Sequence, residues 1–545
     1  MNENLPIEPE QKKLNIWLPL LFAITAVGCI MLGFELRKAA PVNVEKASIS
    51  SFSSRSEVGK IEEMLRYIES KYVDEVEREK IMEAAIKSML KELDPHSNYI
   101  PEEQLQSINE SLEGSFDGIG VSFFILVDTL YVVSVVENGP SEEAGILPGD
   151  KIVQINDSTI AGIGISNSDV IDLLRGQKGS KVNLGIKRKG NEDLLNVTVT
   201  RASIPDKSIE VSYMVDDKTG YIKVSRFSNT TYEEFMKSVE NLNGEGMENL
   251  IIDVRQNNGG YLSAVTKMVD QLFDDGRKLI VYTQGRTQRR SDYKTSGRNF
   301  FPIDQIMVLV DEGSASASEI LAGAVQDWDR GTVIGRRTFG KGLVQEQYKL
   351  SDGSALRLTV ARYYTPSGRS IQKEYSSDES EYGSSSLTRL QTGELLSRDS
   401  IKITDSTEYQ TASGRVVYGG GGIIPDEFVP IDTVVYNEYY SKARAYLQEF
   451  VYYYFDRHSG SKTAYETIDD FNKRFEVNNS MMTSFIDYVG DKGVVYNETS
   501  FSDCRSKIEH QLKSFVARQY FEEEGLFRVL NDKDPVYRKA LELID

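Results

Sequence analysis

The sequence predicts a chain of several domains in the mixed α/β (α+β) class. Three observations lead there. At 545 residues the chain exceeds what one hydrophobic core serves. From Ile204 onward short apolar runs alternate with helix-forming stretches, as α/β architecture requires. After Tyr436 the composition turns charged, aromatic-rich and helical.

Residues 14–34 carry no charge and are flanked by Lys12 and Lys13 before and by Glu35, Arg37 and Lys38 after. That length matches the roughly 20 residues a helix needs to cross a bilayer. The expectation is a transmembrane signal anchor over residues 14–36, with residues 1–13 as a cytoplasmic tail. A cleaved signal peptide is the rival reading, although its apolar region is normally shorter. The anchor would leave the bulk of the chain on the periplasmic or extracytoplasmic side of the inner (cytoplasmic) membrane.

Residues 37–57 are rich in Ser and small side chains and read as a linker. Next, Ile61, Leu65 and Ile68, then Ile81, Ala85 and Met89, recur at helical spacing. This predicts two amphipathic helices in a helical region over 58–113, the second ending at Asp94 and Pro95. His96 follows, and nothing nearby completes a triad or a metal site.

Gly118, Ile119, Gly120 and Val121 form a Gly-x-Gly turn, followed by alternation at Val121, Phe123 and Ile125. Alone such a turn is a weak signal. The long run from Gly139 through Gly145 and Gly149 to Asp150 and Ile155 adds to it, and residues 114–203 together resemble a PDZ domain. The resemblance implies that backbone N–H groups of 118–121 hold a peptide's C-terminal carboxylate while the peptide adds as a strand. Arg175, at the end of the second helix of that domain, contacts peptide or the neighbouring core, or only forms a surface salt bridge.

Asn249, Leu250, Ile251, Ile252 and Asp253 read as a strand, and Asn257, Asn258, Gly259 and Gly260 as a turn into a helix. Paired glycines let backbone approach a ligand closely. They serve equally well as a sharp turn.

Residues 305–310 are a buried strand, bounded by Asp311, Glu312 and Gly313. Ser314, Ser316 and Ser318 follow, with a helix starting near Ser316. A serine there meets unpaired N–H groups and the positive end of the helix dipole, which suits an acyl-transfer nucleophile. Ser316-x-x-Glu319 is also a capping box, and a cap alone would explain it. After a short strand at 332–334 comes Lys341 between Gly340 and Gly342. A serine hydroxyl needs a base, and the three histidines, His96, His458 and His510, have no sequence link to it. A lysine serves if burial lowers its pKa.

The two segments, Ser-Ala-Ser-Ala-Ser-Glu-Ile over 314–320 and Phe-Gly-Lys-Gly-Leu-Val-Gln over 339–345, resemble the carboxyl-terminal processing (tail-specific) proteases, Ser-Lys dyad peptidases. The likeness spans roughly residues 93 to 430. It implies Ser316 as nucleophile, Lys341 as base and Gln345 as the residue orienting the lysine. Through Asp-x-Arg-x-Asn-x-Gly-Gly it implies an oxyanion-hole donor at Gly259 or Gly260, with the Ala317 N–H as the expected second donor; Asp253 and Arg255 read as braces of the loop. It also implies a crotonase-like protease core over 204–434 around the inserted PDZ domain. The extension over 435–545 would cap the core or form a homodimer contact, and an adaptor protein stays open. Residues 374–400, rich in Ser, Glu and Asp, read as an exposed insertion.

The expected partners are unfolded or flexible protein C-termini and, through the anchor, a membrane. Two cysteines exclude a disulfide framework and a cysteine-rich metal site. No metal and no organic cofactor is implied. A net charge of −20 argues against nucleic acid. A non-catalytic PDZ scaffold binding C-termini is the alternative function, but it has no use for Ser316, Lys341 and Gln345 together. An acyl-CoA enzyme is a further rival on fold resemblance.

Overall fold

The computed structural model describes residues 55–126, 128–375, 385–458 and 465–544. The expected membrane span at 14–36 lies outside these residues, and no described helix is long and apolar enough to cross a membrane. The chain divides into two compact units, Met1–Ala85 and Ile86–Asp545.

In the first unit the helix Arg55–Lys71 is amphipathic, as its periodicity predicts. Leu65 is buried, whereas Ile61 and Met64 are exposed. Arg78 pairs with Glu62 and Glu69 at the surface.

The second unit contains a central six-stranded sheet that is mostly parallel. Its strands run in the order Ile209–Met214, Thr219–Val224, Asn249–Asp253, Ile306–Val310, Thr332–Gly335 and Glu427–Phe428. Only the first pair is antiparallel. Alternate side chains of one strand enter different cores. Leu250, Ile252, Ile306 and Val308 pack with the helices Thr231–Gly244, Leu262–Asp270 and Ala317–Asp327. Ile251, Met307 and Leu309 face Val536, Tyr537 and Ala540 of the last helix, Pro535–Ile544. Both faces are covered, which is why these strands read as unbroken apolar runs rather than alternating ones. The end of the chain therefore covers the outer face of the sheet, and Arg255 pairs with Asp534 at 2.7 Å there.

A second, antiparallel sheet is built on the long strand Ala355–Tyr364, which pairs with Leu343–Lys349, Gly276–Gln284 and the short strand Asn98–Ile100. The hairpin between Leu343–Lys349 and Ala355–Tyr364 turns at Ser351, Asp352 and Gly353.

The PDZ region leaves and rejoins the chain through two strands that pair with each other, Ser115–Gly118 and Ala202–Pro205. Between them lies a sheet in the order Val121–Leu126, Thr129–Val135, Lys151–Ile155, Lys181–Lys187 and Leu195–Thr200, closed over Ile146, Val170 and Val199. Val121–Leu126 is its edge.

The C-terminal extension is helical and has its own core of Phe450, Phe471, Phe485, Ile508 and Leu512. One expectation needs correction. Within the stretch read as an exposed insertion, the described residues 385–400 are tied to the core: Arg389 donates to the carbonyls of Arg337 and Phe339, Glu394 pairs with Arg337, and Leu395 is buried. A Ser- and Glu-rich composition hid two charged side chains that are paired rather than solvated.

Candidate active site

The strand Ile306–Val310 ends at Asp311, whose carboxylate accepts the N–H groups of Gln256 and Gly313 and so fixes the following turn. Ser314 Oγ donates to the Val254 carbonyl at 2.8 Å, and Ser318 Oγ donates to the Asn257 carbonyl at 2.9 Å. Both flanking serines are structural braces. Ser316 differs from them. It stands immediately before the helix Ala317–Asp327 with φ 57° and ψ −112°, a backbone conformation costing a non-glycine residue about 1–3 kcal/mol. Ser316 lines a cavity of about 820 Å³, which Lys341, Gln345, Gly260 and Ala317 also line.

Glu319, one turn into that helix, is fully buried. Its carboxylate accepts the Ser316 N–H at 2.8 Å, the Thr338 hydroxyl at 2.6 Å, the Gly340 N–H at 2.7 Å and the Lys341 N–H at 2.8 Å. Burial raises its pKa, and these four donors oppose the rise. The capping reading of Ser-x-x-Glu accounts for the first bond only. The others join the lysine loop to the start of the serine helix. Tyr363, buried in the long strand, bridges the same two segments: its hydroxyl lies 3.0 Å from the Ser316 carbonyl and also bonds the Lys341 carbonyl.

Lys341 Nζ donates to Gln345 Oε1 at 3.0 Å, and Gln345 Nε2 donates to the His96 carbonyl at 2.5 Å. The second bond selects the amide orientation that turns oxygen toward the lysine. Burial lowers the Lys341 pKa, and the Arg357 guanidinium lowers it further against the opposing pull of Glu319 and Asp94. Burial beside Lys341 likewise brings His96 down to about 4. The imidazole is thus neutral near pH 7, and what His96 gives the site is its carbonyl.

Gly259 and Gly260 have φ of 100° and 145°. A Cβ on Gly259 would lie 2.7 Å from Ser316 Cβ, and one on Gly260 would lie 2.0 Å from the Phe227 carbonyl oxygen. Side chains are excluded at both. Their N–H groups are not equivalent: that of Gly259 is taken by Asn257 Oδ1 at 2.8 Å. Among the described hydrogen bonds none uses the N–H of Gly260 or Ala317. Asn257 is itself buried, donates to the Val224 carbonyl, and accepts the Ala315 N–H on its own carbonyl. Asp253 accepts from Tyr221, Lys223 and Arg255, bracing the strand end as expected.

The turn 118–121 and the apolar side chains Phe116, Phe123, Ile171 and Leu174 line a separate groove of about 430 Å³. Arg175 lies at its rim, 4.6 Å over the Phe116 ring, and pairs with Glu110 at 3.1 Å. Glu110 belongs to the helix Glu102–Glu113, which also lends Asn109 and Leu112 to the serine cavity. Among the described residues no group of three His, Cys, Asp or Glu side chains is placed to hold a metal.

Glu319 as a bridge, Tyr363, Asn257 and the His96 carbonyl were not legible as site components. Glu319 had a local signal that a cap alone explained, and the other three act across long stretches of chain.

Residues 218–379 match the model of peptidase family S41, and residues 118–199 match a PDZ domain. Residues 26–104 match an activating protease CtpB N-terminal domain, and residues 438–522 match a family of unknown function. The chain is 33% identical over 368 residues to the carboxy-terminal processing protease CtpB of Bacillus subtilis, covering 65% of this chain and 76% of that one. It is 35% identical over 312 residues to a carboxy-terminal-processing protease of Bartonella bacilliformis, covering 56% and 70%. A solved photosystem II D1 C-terminal processing protease is 30% identical, with 56% and 82% covered and a TM-score of 0.33. Identity of this extent across most of the length of those relatives makes the chain a serine peptidase of family S41, belonging to the carboxy-terminal processing proteases.

Proposed function

We propose that Ser316 and Lys341 form the catalytic dyad of an endopeptidase that captures flexible protein C-termini in its PDZ groove and cuts near them. The observation that carries this reading is the shared anchorage of the two residues: Glu319 accepts both of their N–H groups and Tyr363 bridges both of their carbonyls.

Neutral Lys341 takes the proton of Ser316 Oγ while its donation to Gln345 Oε1 orients the amine. Oγ bonds the scissile carbonyl carbon, and the oxyanion takes the N–H groups of Gly260 and Ala317. Of the two glycines, Gly260 is assigned because the Gly259 N–H is already committed to Asn257. Collapse of the tetrahedral adduct breaks the C–N bond, and the Lys341 ammonium protonates the departing amine. Water, deprotonated by Lys341, then hydrolyses the acyl-enzyme.

The protease core over 204–434 is read as crotonase-like, with the PDZ domain inserted over 114–203 and the helical extension over 435–545. The anchor over 14–36, with its uncharged stretch at 14–34, would hold the enzyme in the inner membrane with its catalytic part outside the cytoplasm.

The test is mass spectrometry of an unfolded protein with an apolar C-terminus after incubation with the enzyme. Cuts near the C-terminus by the wild type, lost in Ser316→Ala, support the reading. Unchanged cutting by Ser316→Ala overturns it.

A further inference from the structure

The C-terminal extension meets the PDZ region at its free edge. Phe124 of the edge strand Val121–Leu126 lines the peptide groove, while its neighbours Val121, Phe123 and Ile125 pack into the PDZ core. Phe124 therefore faces outward, beginning a row across the sheet. Its ring stacks on Tyr131 of the next strand at 5.6 Å, and Lys151 of the third strand lies 4.5 Å over Tyr131. The extension helix Leu447–Arg457 lies along this row. Tyr452 stacks on Phe124 with centroids 4.4 Å apart, and Asp456, one turn on, comes within 3.9 Å of Lys151. Two contacts at i and i+4 fix the helix face turned to the PDZ sheet.

A peptide held by its carboxylate at 118–121 and added antiparallel to the edge runs past Ser122 and Phe123 to Phe124. Its side chains alternate between faces, and those on the outward face arrive beside the Phe124 and Tyr452 rings. A flat aromatic pair at the edge of an apolar groove recognises an apolar side chain.

We propose that the extension, through Tyr452, completes the substrate groove, forming with Phe124 a subsite for an apolar side chain a few residues upstream of the substrate's C-terminus. This assigns a role to the region 438–522, and it rests on the reading that the PDZ groove takes C-termini.

Calorimetric titration of the full-length Ser316→Ala chain tests it with decapeptides that share the same three apolar terminal residues. They differ in having leucine or glycine at the fourth and sixth positions from the end. The parent chain is expected to bind the leucine peptide about fivefold more tightly. Tyr452→Ala should abolish that preference without changing affinity for the glycine peptide, and Tyr452→Phe should keep it. A preference that is absent in the parent, or undiminished in Tyr452→Ala, overturns the subsite. So does tighter binding of both peptides by Tyr452→Ala, which would make the helix a shield. A C-terminally amidated decapeptide separates the two readings: if it binds as well as the free acid, the C-terminus reading itself fails.

Discussion

Glu319 Oε2 accepts the Lys341 backbone N–H at 2.8 Å, and the same oxygen accepts that of Ser316. A fully buried carboxylate in this position holds the start of the Ser316 helix against the Lys341 loop. Glu319→Gln keeps the volume but presents an amide NH₂ to at least one of four donors, costing about 1–3 kcal/mol. The expected result is a fall in kcat of about 5- to 150-fold. PDZ peptide affinity, measured calorimetrically, should be unchanged.

As the proposed base Lys341 would act only when neutral, so kcat/KM should rise with pH, with a midpoint below the usual lysine value of about 10.4. Burial lowers that pKa first and Arg357 adds to it. Arg357→Gln removes a neighbouring positive charge, so the lysine holds its proton to higher pH. The pH–rate midpoint should move upward in this variant, and an unmoved or lower midpoint contradicts the assignment. His96, at about 4, should add no second inflection between pH 6 and 10 (roughly the working range for a base of this kind).

Asn257 ties the glycine turn to the serine segment from both ends of its residue: its side chain holds Gly259 and Val224, and its carbonyl holds Ala315 and Ser318. Asn257→Ala leaves the Gly259 N–H and the Val224 carbonyl without their partner. Turnover should fall by about 10- to 100-fold as the oxyanion donors lose position, with thermal stability reduced by about 1–3 kcal/mol. Kinetics and thermal denaturation of the same preparation measure both effects.

Asp253 is buried, which alone would raise its pKa, but Arg255 and Lys223 outweigh that and hold it well below the usual carboxylate range. A depressed folded-state pKa stabilises the fold above the unfolded value of about 3.9 and loses that contribution as pH falls further. Stability of the parent chain should therefore decline below about pH 4. Asp253→Asn should be about 1–3 kcal/mol less stable near pH 7, because Lys223 loses its carboxylate and Arg255 is left with Asp534 alone. Its acid decline should be shallower. Chemical denaturation at several pH values checks both.

What was legible in the sequence was local. The strand Ile306–Val310 read as apolar because both of its faces are covered, and the turn to Ser316 read as a helix start because capping chemistry is short-range. Lys341 between two glycines stood out for want of any helical use. Contacts closed by distant residues left no comparable trace. Tyr363 is one more aromatic in a strand until its hydroxyl is seen between the Ser316 and Lys341 carbonyls. The part of His96 that meets Gln345 is its backbone carbonyl, which residue identity does not encode. Gly259 and Gly260 could not be separated until the Asn257 side chain was placed. Tyr452 meets Phe124 only because two independent cores pack together, and neither pattern encodes the other.

The most direct measurement traps the acyl-enzyme: a slowly hydrolysed ester is mixed with the full-length chain, the reaction is quenched in acid, and the labelled peptide is mapped. The expected outcome is acylation of Ser316 at a rate that rises with pH and is lost in Lys341→Ala. Label on any other residue, or undiminished acylation of Ser316 in Lys341→Ala, would contradict the dyad.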